Sequence, residues 1–333
     1  MTKYGFLTYE SDLYRKRGWI NLGDYVQTLA ARQFLPSCDI PIPRDAIGGY
    51  HGEPVKVIMN AWYMDSPENF PPSCNIYPFY TSVHINSSVE NKIFSAEAIY
   101  HLKQYAPIGC RDFYTVNLLE KYGIPAYYSG CMTLTLGKAY KRNSCSDDIY
   151  FVDVMYDSLT PFELLRQPLR LAKRILNGRV WELFHKREVL RECFDKELLN
   201  DARVMTQIVP YVPYEVGIEM AHNFLLKLSS AKLVVTSRIH TALPCLAMGT
   251  PVIFINGGFK NKIDNCRFDG LLDFFNRIDV DNRGCVIKNF GSSNDKINNN
   301  TVIINGGKHL DYSVSLARSC NEFIGQPPFS PVT

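Results

Sequence analysis

The fold is decided by the stretch Lys232-Leu-Val-Val-Thr-Ser-Arg-Ile-His240-Thr-Ala-Leu-Pro-Cys-Leu-Ala-Met-Gly249-Thr-Pro-Val-Ile-Phe-Ile255. Residues 233–235 and 252–255 are continuous apolar runs, which are typical of strands covered on both faces of a parallel sheet. Gly249, followed by Pro251, marks the end of a short helix between these strands. The pattern therefore predicts a strand, a turn, a helix and a second strand.

The turn after the first of these strands carries two chemically active side chains, Arg238 and His240. In parallel sheets, ligands bind at the carboxyl ends of the strands, where this turn lies. Pro244 predicts that the helix begins near Thr241, because proline is tolerated without loss in the first turn. A helix amino end beside a guanidinium group and an imidazole favours binding of an anion.

Strand and helix patterns alternate in both halves of the chain, which predicts two parallel-sheet α/β domains facing a cleft. We expect domains at residues 1–140 and 148–333, joined by the polar segment 138–148, and a return of the last helix to the first domain is left open. In the first half, the expected elements are a strand at 4–8, a polar loop at 9–20, a helix capped by Asn21, strands at 55–60 and 82–85, and a helix opened by residues 109–112. In the second half, they are strands at 149–153 and 203–209, a basic helical stretch at 161–200, and helices at 219–229 and 312–324.

Composition limits the function classes. The 333 residues are 46% hydrophobic and carry a net charge of only +3, which indicates a folded chain and gives no support for nucleic-acid binding. Ten cysteines without a C-x-x-C pair indicate reduced thiols, and no signal peptide or membrane-spanning run is recognised, so we expect a cytoplasmic protein. No cofactor and no metal are expected, because glycine fingerprints and metal-ligand spacings are missing.

Three sequence blocks together resemble the polysaccharide pyruvyl transferase family. They are residues 21–27 (NLGDYVQ), 110–136 (CRD through SGCMTLTL) and 237–252 (SRIHTALPCLAMGTPV). The resemblance implies a GT-B-like pair of Rossmann-like domains. It also implies transfer of the pyruvyl group of phosphoenolpyruvate to sugar hydroxyls, with formation of a ketal and release of phosphate. The acceptor would be a glycan or a lipid-linked or nucleotide-linked sugar.

The resemblance assigns Arg238 and His240 as catalytic residues through the R-x-H motif, and Arg111 as a donor-binding residue of the first domain. Phosphoenolpyruvate carries a carboxylate and a phosphate, so paired guanidinium groups suit it. His240 is expected to act as an acid or base, or as a protonated phosphate clamp. Ser237 is expected to contribute to substrate binding.

The block Asn21, Gly23 and Asp24 is expected to contact the acceptor. Asp24 could accept hydrogen bonds from sugar hydroxyls or act as a base, but stabilisation of the helix start explains the same residues equally well. Three further cations, Lys260, Lys262 and Arg267, could extend the anion site or belong to a solvated loop.

Two other functions stay open at this point. The same architecture suits a glycosyltransferase that uses a nucleotide-sugar donor, and it suits a catalytically silent protein that binds a glycan or an anion. The acceptor sugar and the oligomeric state do not follow from the sequence.

Overall fold

The computed structural model describes residues 2–63, 65–156, 185–259, 266–281, 284–292 and 295–325, with isolated positions between 157 and 184. The strands within these residues are β1 (Lys3–Thr8), β2 (Trp19–Asn21), β3 (Ile40–Pro43), β4 (Val55–Met59), β5 (Ile76–Tyr80), β6 (Ile108–Cys110), β7 (Ala126–Tyr128), β8 (Ile149–Val152), β9 (Arg203–Met205), β10 (Ile208–Pro210), β11 (Leu233–Thr236), β12 (Val252–Asn256), β13 (Asn276–Val280) and β14 (Val286–Lys288). The helices are α1 (Asp12–Arg17), α2 (Leu22–Arg32), α3 (Glu90–Ile93), α4 (Ala96–Gln104), α5 (Phe113–Lys121), α6 (His185–Cys193), α7 (Lys196–Asp201), α8 (Tyr214–Ser230), α9 (Ile239–Met248) and α10 (Leu310–Gly325).

Two parallel sheets organise the chain. One has the order β3-β1-β4-β5 with all neighbours parallel, and the other has the order β14-β13-β12-β11-β8-β9, in which only β14 runs antiparallel to its neighbour. Two short ladders, β10-β2 and β6-β7, accompany them. The predicted α/β class is confirmed by these sheets and the helices between them.

The predicted strands around the stretch 232–255 are confirmed. Strands β11 and β12 pair in parallel, and every residue of β11 is buried. Both lie inside the sheet, which explains their continuous apolar sequence. Helix α9 ends at Gly249, whose φ of 79° is the left-handed conformation that glycine adopts without strain.

The predicted start of α9 is wrong by two residues. The helix begins at Ile239 with Arg238 as its N-cap, so Pro244 lies inside it rather than in the first turn. Pro244 has no N–H to donate to the carbonyl of His240, four residues earlier. This loss is tolerated because the helix is buried along nearly its whole length, and tertiary packing supplies most of the stability of such a helix.

Two edge strands were not predicted from the sequence. Strand β3 reads IPIP and β5 reads IYPFY, and proline argues against a central strand. Both strands lie at the edges of their sheet, where a missing N–H can face away from the ladder. The predicted strand at 82–85 is wrong, because these residues form only isolated bridges, Val83 with Cys110 and His84 with Trp62.

The segment 9–20 is not the predicted loop, because it contains α1 and β2. The predicted strand 203–209 is divided between two ladders: β9 pairs in parallel with β8, whereas β10 pairs antiparallel with β2. Alternating apolar residues indicate a strand but not its partner. The ladder of β10 with β2 brings Gln207 beside the start of α2, where its carbonyl accepts a hydrogen bond from the N–H of Leu22 at 2.7 Å.

The last helix, α10, contacts the first half of the chain. The ring of Phe323 stacks on Phe79 with centroids 5.2 Å apart, and the hydroxyl of Ser313 donates to the carbonyl of Leu134 at 2.8 Å. Of the basic stretch predicted at 161–200, most of residues 161–184 lie outside the described residues, and the remainder forms α6 and α7.

Candidate active site

A cavity of about 510 Å³, counting the part open to solvent, lies beside the carboxyl ends of β8, β9 and β11. The residues that line it are Asn21, Asp24, Gln27, Trp62, Arg111, Tyr156, Gln207, Ser237, Arg238, Ile239, His240, Arg267 and Phe268. Six of the seven site residues expected from the sequence belong to this set, and the seventh, Gly23, packs directly behind it.

One side of the cavity carries three guanidinium groups, those of Arg111, Arg238 and Arg267. Arg111 directly precedes the N-cap of α5 and is only 3% exposed. The Nε atoms of Arg111 and Arg267 are buried and have no hydrogen-bond partner among the described residues. Buried polar atoms normally have a hydrogen-bond partner, so donors without one beside a cavity indicate that a ligand or water binds there.

Arg238 is held in place from two sides. Its Nε donates to Asp153 Oδ2 at 3.1 Å, and its guanidinium carbon lies 3.6 Å from the centre of the Tyr156 ring. The hydroxyl of Tyr156 in turn accepts a hydrogen bond from Arg267. A stacked and paired guanidinium keeps its orientation, so Arg238 presents a fixed donor surface to the cavity.

The amino end of α9 adds backbone donors to the same side. Arg238 occupies the N-cap position, and no side chain makes a capping hydrogen bond there. Ile239 and His240, the first two residues of the helix, line the cavity. The N–H groups of a first helical turn have no partner within the helix, and the helix dipole favours negative charge at this end. These donors and the three guanidinium groups make this side of the cavity suited to an anion.

His240 is 8% exposed and contacts Arg111, whose Nη1 lies 3.4 Å from His240 Nε2. Because a guanidinium group can only donate, Nε2 must accept, which places the proton of the neutral ring on Nδ1. Burial lowers the pKa of His240 well below its usual value, and the charges of Arg111, Arg267, His84 and Arg238 lower it further. Before an anion binds, His240 is therefore neutral, which argues against a preformed protonated clamp.

A hydrogen-bonded bridge joins the start of α2 to α9. Asn21 Oδ1 accepts from the N–H of Gly23 at 3.0 Å and from Gln207 Nε2 at 2.8 Å, while Gln207 Oε1 accepts from the hydroxyl of Thr241 at 2.9 Å. A Cβ on Gly23 would lie 2.8 Å from Gln207 Nε2 and 3.1 Å from the Cβ of His240. The helix start can approach His240 this closely only because residue 23 has no side chain.

Three further residues line the cavity, Asp24, Gln27 and Trp62, and we call these three the acidic wall. Asn21, not Asp24, caps α2, and no described residue donates a hydrogen bond to the Asp24 carboxylate. Burial raises the pKa of Asp24 to about 6, although the nearby Arg44 opposes this shift. The carboxylate therefore lines the cavity without a hydrogen-bond donor, while it also lies in the first turn of α2, where negative charge is favoured.

Ser237 lines the cavity, but its hydroxyl is engaged by the backbone. It donates to the carbonyl of Ile255 at 2.7 Å and accepts from the N–H of Met155 at 2.9 Å. These bonds tie the ends of β11 and β12 to the turn after β8. One oxygen lone pair stays available to a ligand.

Sequence reasoning missed Gln207, Tyr156, Trp62 and Gln27. Tyr156 follows the carboxyl end of β8, where a parallel sheet places its ligands, so this position offered a signal. Gln207 offered none, because its role arises only when β10 pairs with β2. Of the three cations considered after β12, Arg267 lines the cavity, whereas Lys260 and Lys262 lie outside the described residues.

Other features of the chain carry less information about function. All ten cysteines are free. Within the described ranges, no group of three or more His, Cys, Asp or Glu side chains is placed to hold a metal ion. A helix long and apolar enough to cross a membrane is not found in the part of the chain that the structure describes.

Comparisons with known proteins place the chain in a family. No curated protein matches it. An uncharacterized protein from Klebsiella pneumoniae of known structure is 12% identical, with 79% of this chain and 87% of that chain covered and a TM-score of 0.41, and this likeness is too low to support an argument. The family model for polysaccharide pyruvyl transferases matches residues 21–258, more than half of the chain and all the cavity residues except Arg267 and Phe268. The chain therefore belongs to the polysaccharide pyruvyl transferase family.

Proposed function

We propose that this enzyme transfers the pyruvyl group of phosphoenolpyruvate to hydroxyls of a glycan, or of a lipid-linked or nucleotide-linked sugar, forming a pyruvate ketal and releasing phosphate. The observation that carries the proposal is the convergence of Arg111, Arg238 and Arg267 with the amino end of α9 on one cavity. Phosphoenolpyruvate is the donor, and no other cofactor takes part.

The donor lies against the cationic side. Its carboxylate and phosphate each accept two or more hydrogen bonds, and guanidinium groups supply them in pairs with defined geometry. Arg238, fixed by Asp153 and Tyr156, and Arg111, whose Nε has no hydrogen-bond partner among the described residues, bind the two anionic ends. Ser237 contributes its remaining lone pair to substrate binding.

His240 and Arg238 are the catalytic residues of the proposal. Burial and the neighbouring guanidinium charges lower the pKa of His240, and a multiply charged anion bound beside it offsets these charges, so the imidazole takes up a proton more readily when the donor arrives. It then lies next to the donor and can pass this proton to it. A positioned acid of this kind contributes a rate factor of about 10² to 10⁴.

In this proposal, residues 1–140 and 148–333 form two Rossmann-like domains in a GT-B-like arrangement. The first provides Arg111 and the acceptor side with Asn21, Gly23 and Asp24, and the second provides the donor site. The two separate parallel sheets support this division, and so does the origin of the cavity residues from both halves. A cytoplasmic place of action completes the proposal and fits ten free cysteines.

The test is phosphate release from phosphoenolpyruvate with a panel of galactosides, glucosides and mannosamine derivatives, followed by mass spectrometry of the product. We expect at least one acceptor to gain the mass of a pyruvate ketal. Arg238→Lys is expected to abolish most of this activity, whereas the exposed Arg318→Lys serves as a matched control and keeps it. Turnover of nucleotide-sugars without turnover of phosphoenolpyruvate would instead identify a glycosyltransferase, and binding without turnover a silent protein.

A further inference from the structure

The cavity has two electrically different sides. After burial, the groups that most strongly lower the pKa of His240 are Arg111, Arg267, His84 and Arg238. Those that act most strongly on Asp24 are Arg44, Asp65, Asp45 and Arg17, and the two sets share no member. A single cavity thus joins a region with three arginines to a region in which three carboxylates, those of Asp24, Asp45 and Asp65, face two guanidinium groups, those of Arg17 and Arg44. An anionic donor is drawn to the first and repelled from the second.

The acidic wall carries unused hydrogen-bonding atoms. Gln27 is only 2% exposed, and its Oε1 is buried without a partner in the described part of the chain. Trp62 Nε1 is likewise buried, and it too lacks a partner within these residues. Leaving buried polar atoms without a partner is unfavourable, so a ligand that pairs them is favoured. An acceptor oxygen, an indole donor and a carboxylate around one space are groups that bind hydroxyls.

The charges behind Asp24 are committed to one another. Arg44 Nη2 lies 2.9 Å from Asp45 Oδ1 and 2.8 Å from Asp65 Oδ2, and Arg17 also pairs with Asp65. Asp24 therefore receives long-range attraction from Arg44 but no direct bond, and its oxygens stay available to a ligand.

We propose that the acidic wall of Asp24, Gln27 and Trp62 is the acceptor subsite, that a sugar ring of the acceptor binds there, and that Asp24 takes the proton from its attacking hydroxyl. This inference rests on the proposed function. The ring of Trp62 offers an apolar face to the sugar, and Gln27 Oε1 accepts a hydrogen bond from a second hydroxyl.

Every proton and bond of this reaction is accounted for. As the O–H bond of the first hydroxyl breaks, its proton moves to Asp24 and its oxygen bonds to the central carbon of the donor, whose methylene carbon gains a proton and becomes a methyl group. Attack by a second hydroxyl then breaks the bond to phosphate. The two hydroxyls release two protons in total. One restores the proton that His240 gave to the methylene carbon, and the other leaves on phosphate.

The experiment compares Asp24→Asn with the wild type in donor binding and in turnover. The control is Asp311→Asn, which removes an exposed carboxylate from the first turn of α10. We expect phosphoenolpyruvate to stabilise Asp24→Asn against heat as it does the wild type, while kcat falls by about 10²- to 10⁴-fold. Because burial raises the pKa of Asp24 to about 6, we expect the wild-type kcat to fall below this pH and the decline to be absent in Asp24→Asn.

A second variant tests the subsite without removing the carboxylate. Trp62→Phe keeps an aromatic ring but loses the N–H, so we expect the KM for the acceptor to rise several-fold while the KM for phosphoenolpyruvate is unchanged. The proposal is overturned if Asp24→Asn retains more than half of the wild-type kcat, or if Trp62→Phe weakens donor and acceptor binding equally. Failure of the wild type to release phosphate with any acceptor would overturn the proposed function itself, and this inference with it.

Discussion

Replacement of Gln207 by glutamate tests the bridge between α2 and α9 directly. The N–H of Gly23 fixes the orientation of the Asn21 amide, because this N–H needs an oxygen acceptor. Asn21 Oδ1 therefore points towards Gly23 and also accepts from the Nε2 donor of Gln207. An ionised glutamate has no donor and places a carboxylate oxygen against Asn21 Oδ1. If Asn21 turns its amide towards the glutamate, the N-cap of α2 is lost.

The size of the effect follows from these contacts. Loss of an N-cap costs about 1 kcal/mol, and a buried polar group left without its partner costs about 1–3 kcal/mol. These two costs belong to alternative arrangements of Asn21, so we expect Gln207→Glu to lower the free energy of unfolding by about 1–3 kcal/mol at pH 8. Because residue 207 is buried, the folded-state pKa of the new glutamate should lie above its unfolded value of about 4.3. Stability is then regained as the pH falls, since a protonated carboxyl can donate to Asn21.

The assay is urea denaturation of wild type and variant at pH 8 and pH 5, comparing the difference in unfolding free energy at each pH. The matched control is Gln207→Met, which removes both hydrogen bonds without adding a charge and should show a difference that does not change with pH. A Gln207→Glu protein as stable as wild type at pH 8, or equally destabilised at both pH values, would refute the reasoning.

Two further predictions concern Arg111 and His101. Arg111→Lys should weaken binding of phosphoenolpyruvate by about 10- to 100-fold, because one charge-assisted hydrogen bond is worth about 1.5–3 kcal/mol, and thermal-shift titration measures this. His101 is bonded to the hydroxyl of Tyr80 at 2.8 Å, and burial lowers its pKa to about 4. The unfolded chain therefore binds a proton at higher pH than the folded one. His101 alone should lower the unfolding free energy by about 2 kcal/mol between pH 7 and pH 5. The variant His101→Gln should not show this contribution to the pH dependence of stability.

Each of these predictions has a result that would contradict it. For Arg111→Lys, an unchanged midpoint of the phosphoenolpyruvate titration would remove Arg111 from the donor site, and Arg318→Lys provides the reference for a lysine substitution elsewhere. For His101→Gln, a pH dependence of stability equal to that of the wild type would mean that this histidine titrates alike in both states.

The helix caps and the central strands were predictable because the interactions that fix them are local. Asn21 caps α2 through a bond to the N–H two residues away, and the apolar runs of β11 and β12 reflect burial on both faces. Even so, the edge strands β3 and β5 escaped prediction, because the tolerance of an edge for proline depends on where a strand lies in its sheet. The start of α9 was misplaced for a similar reason, since tertiary packing outweighs the single hydrogen bond that Pro244 removes.

The sequence alone determined the α/β class, the family and the residues expected at the anion site, because short motifs and periodic burial are written into neighbouring positions. Only the tertiary structure decided that Arg111 meets His240, which is 129 residues away in the chain, and that Gln207 joins α2 to α9. It also turned Asp24 towards the cavity and left the capping of α2 to Asn21. Such meetings depend on how distant strands pair and how helices pack on them, and no local pattern encodes these choices.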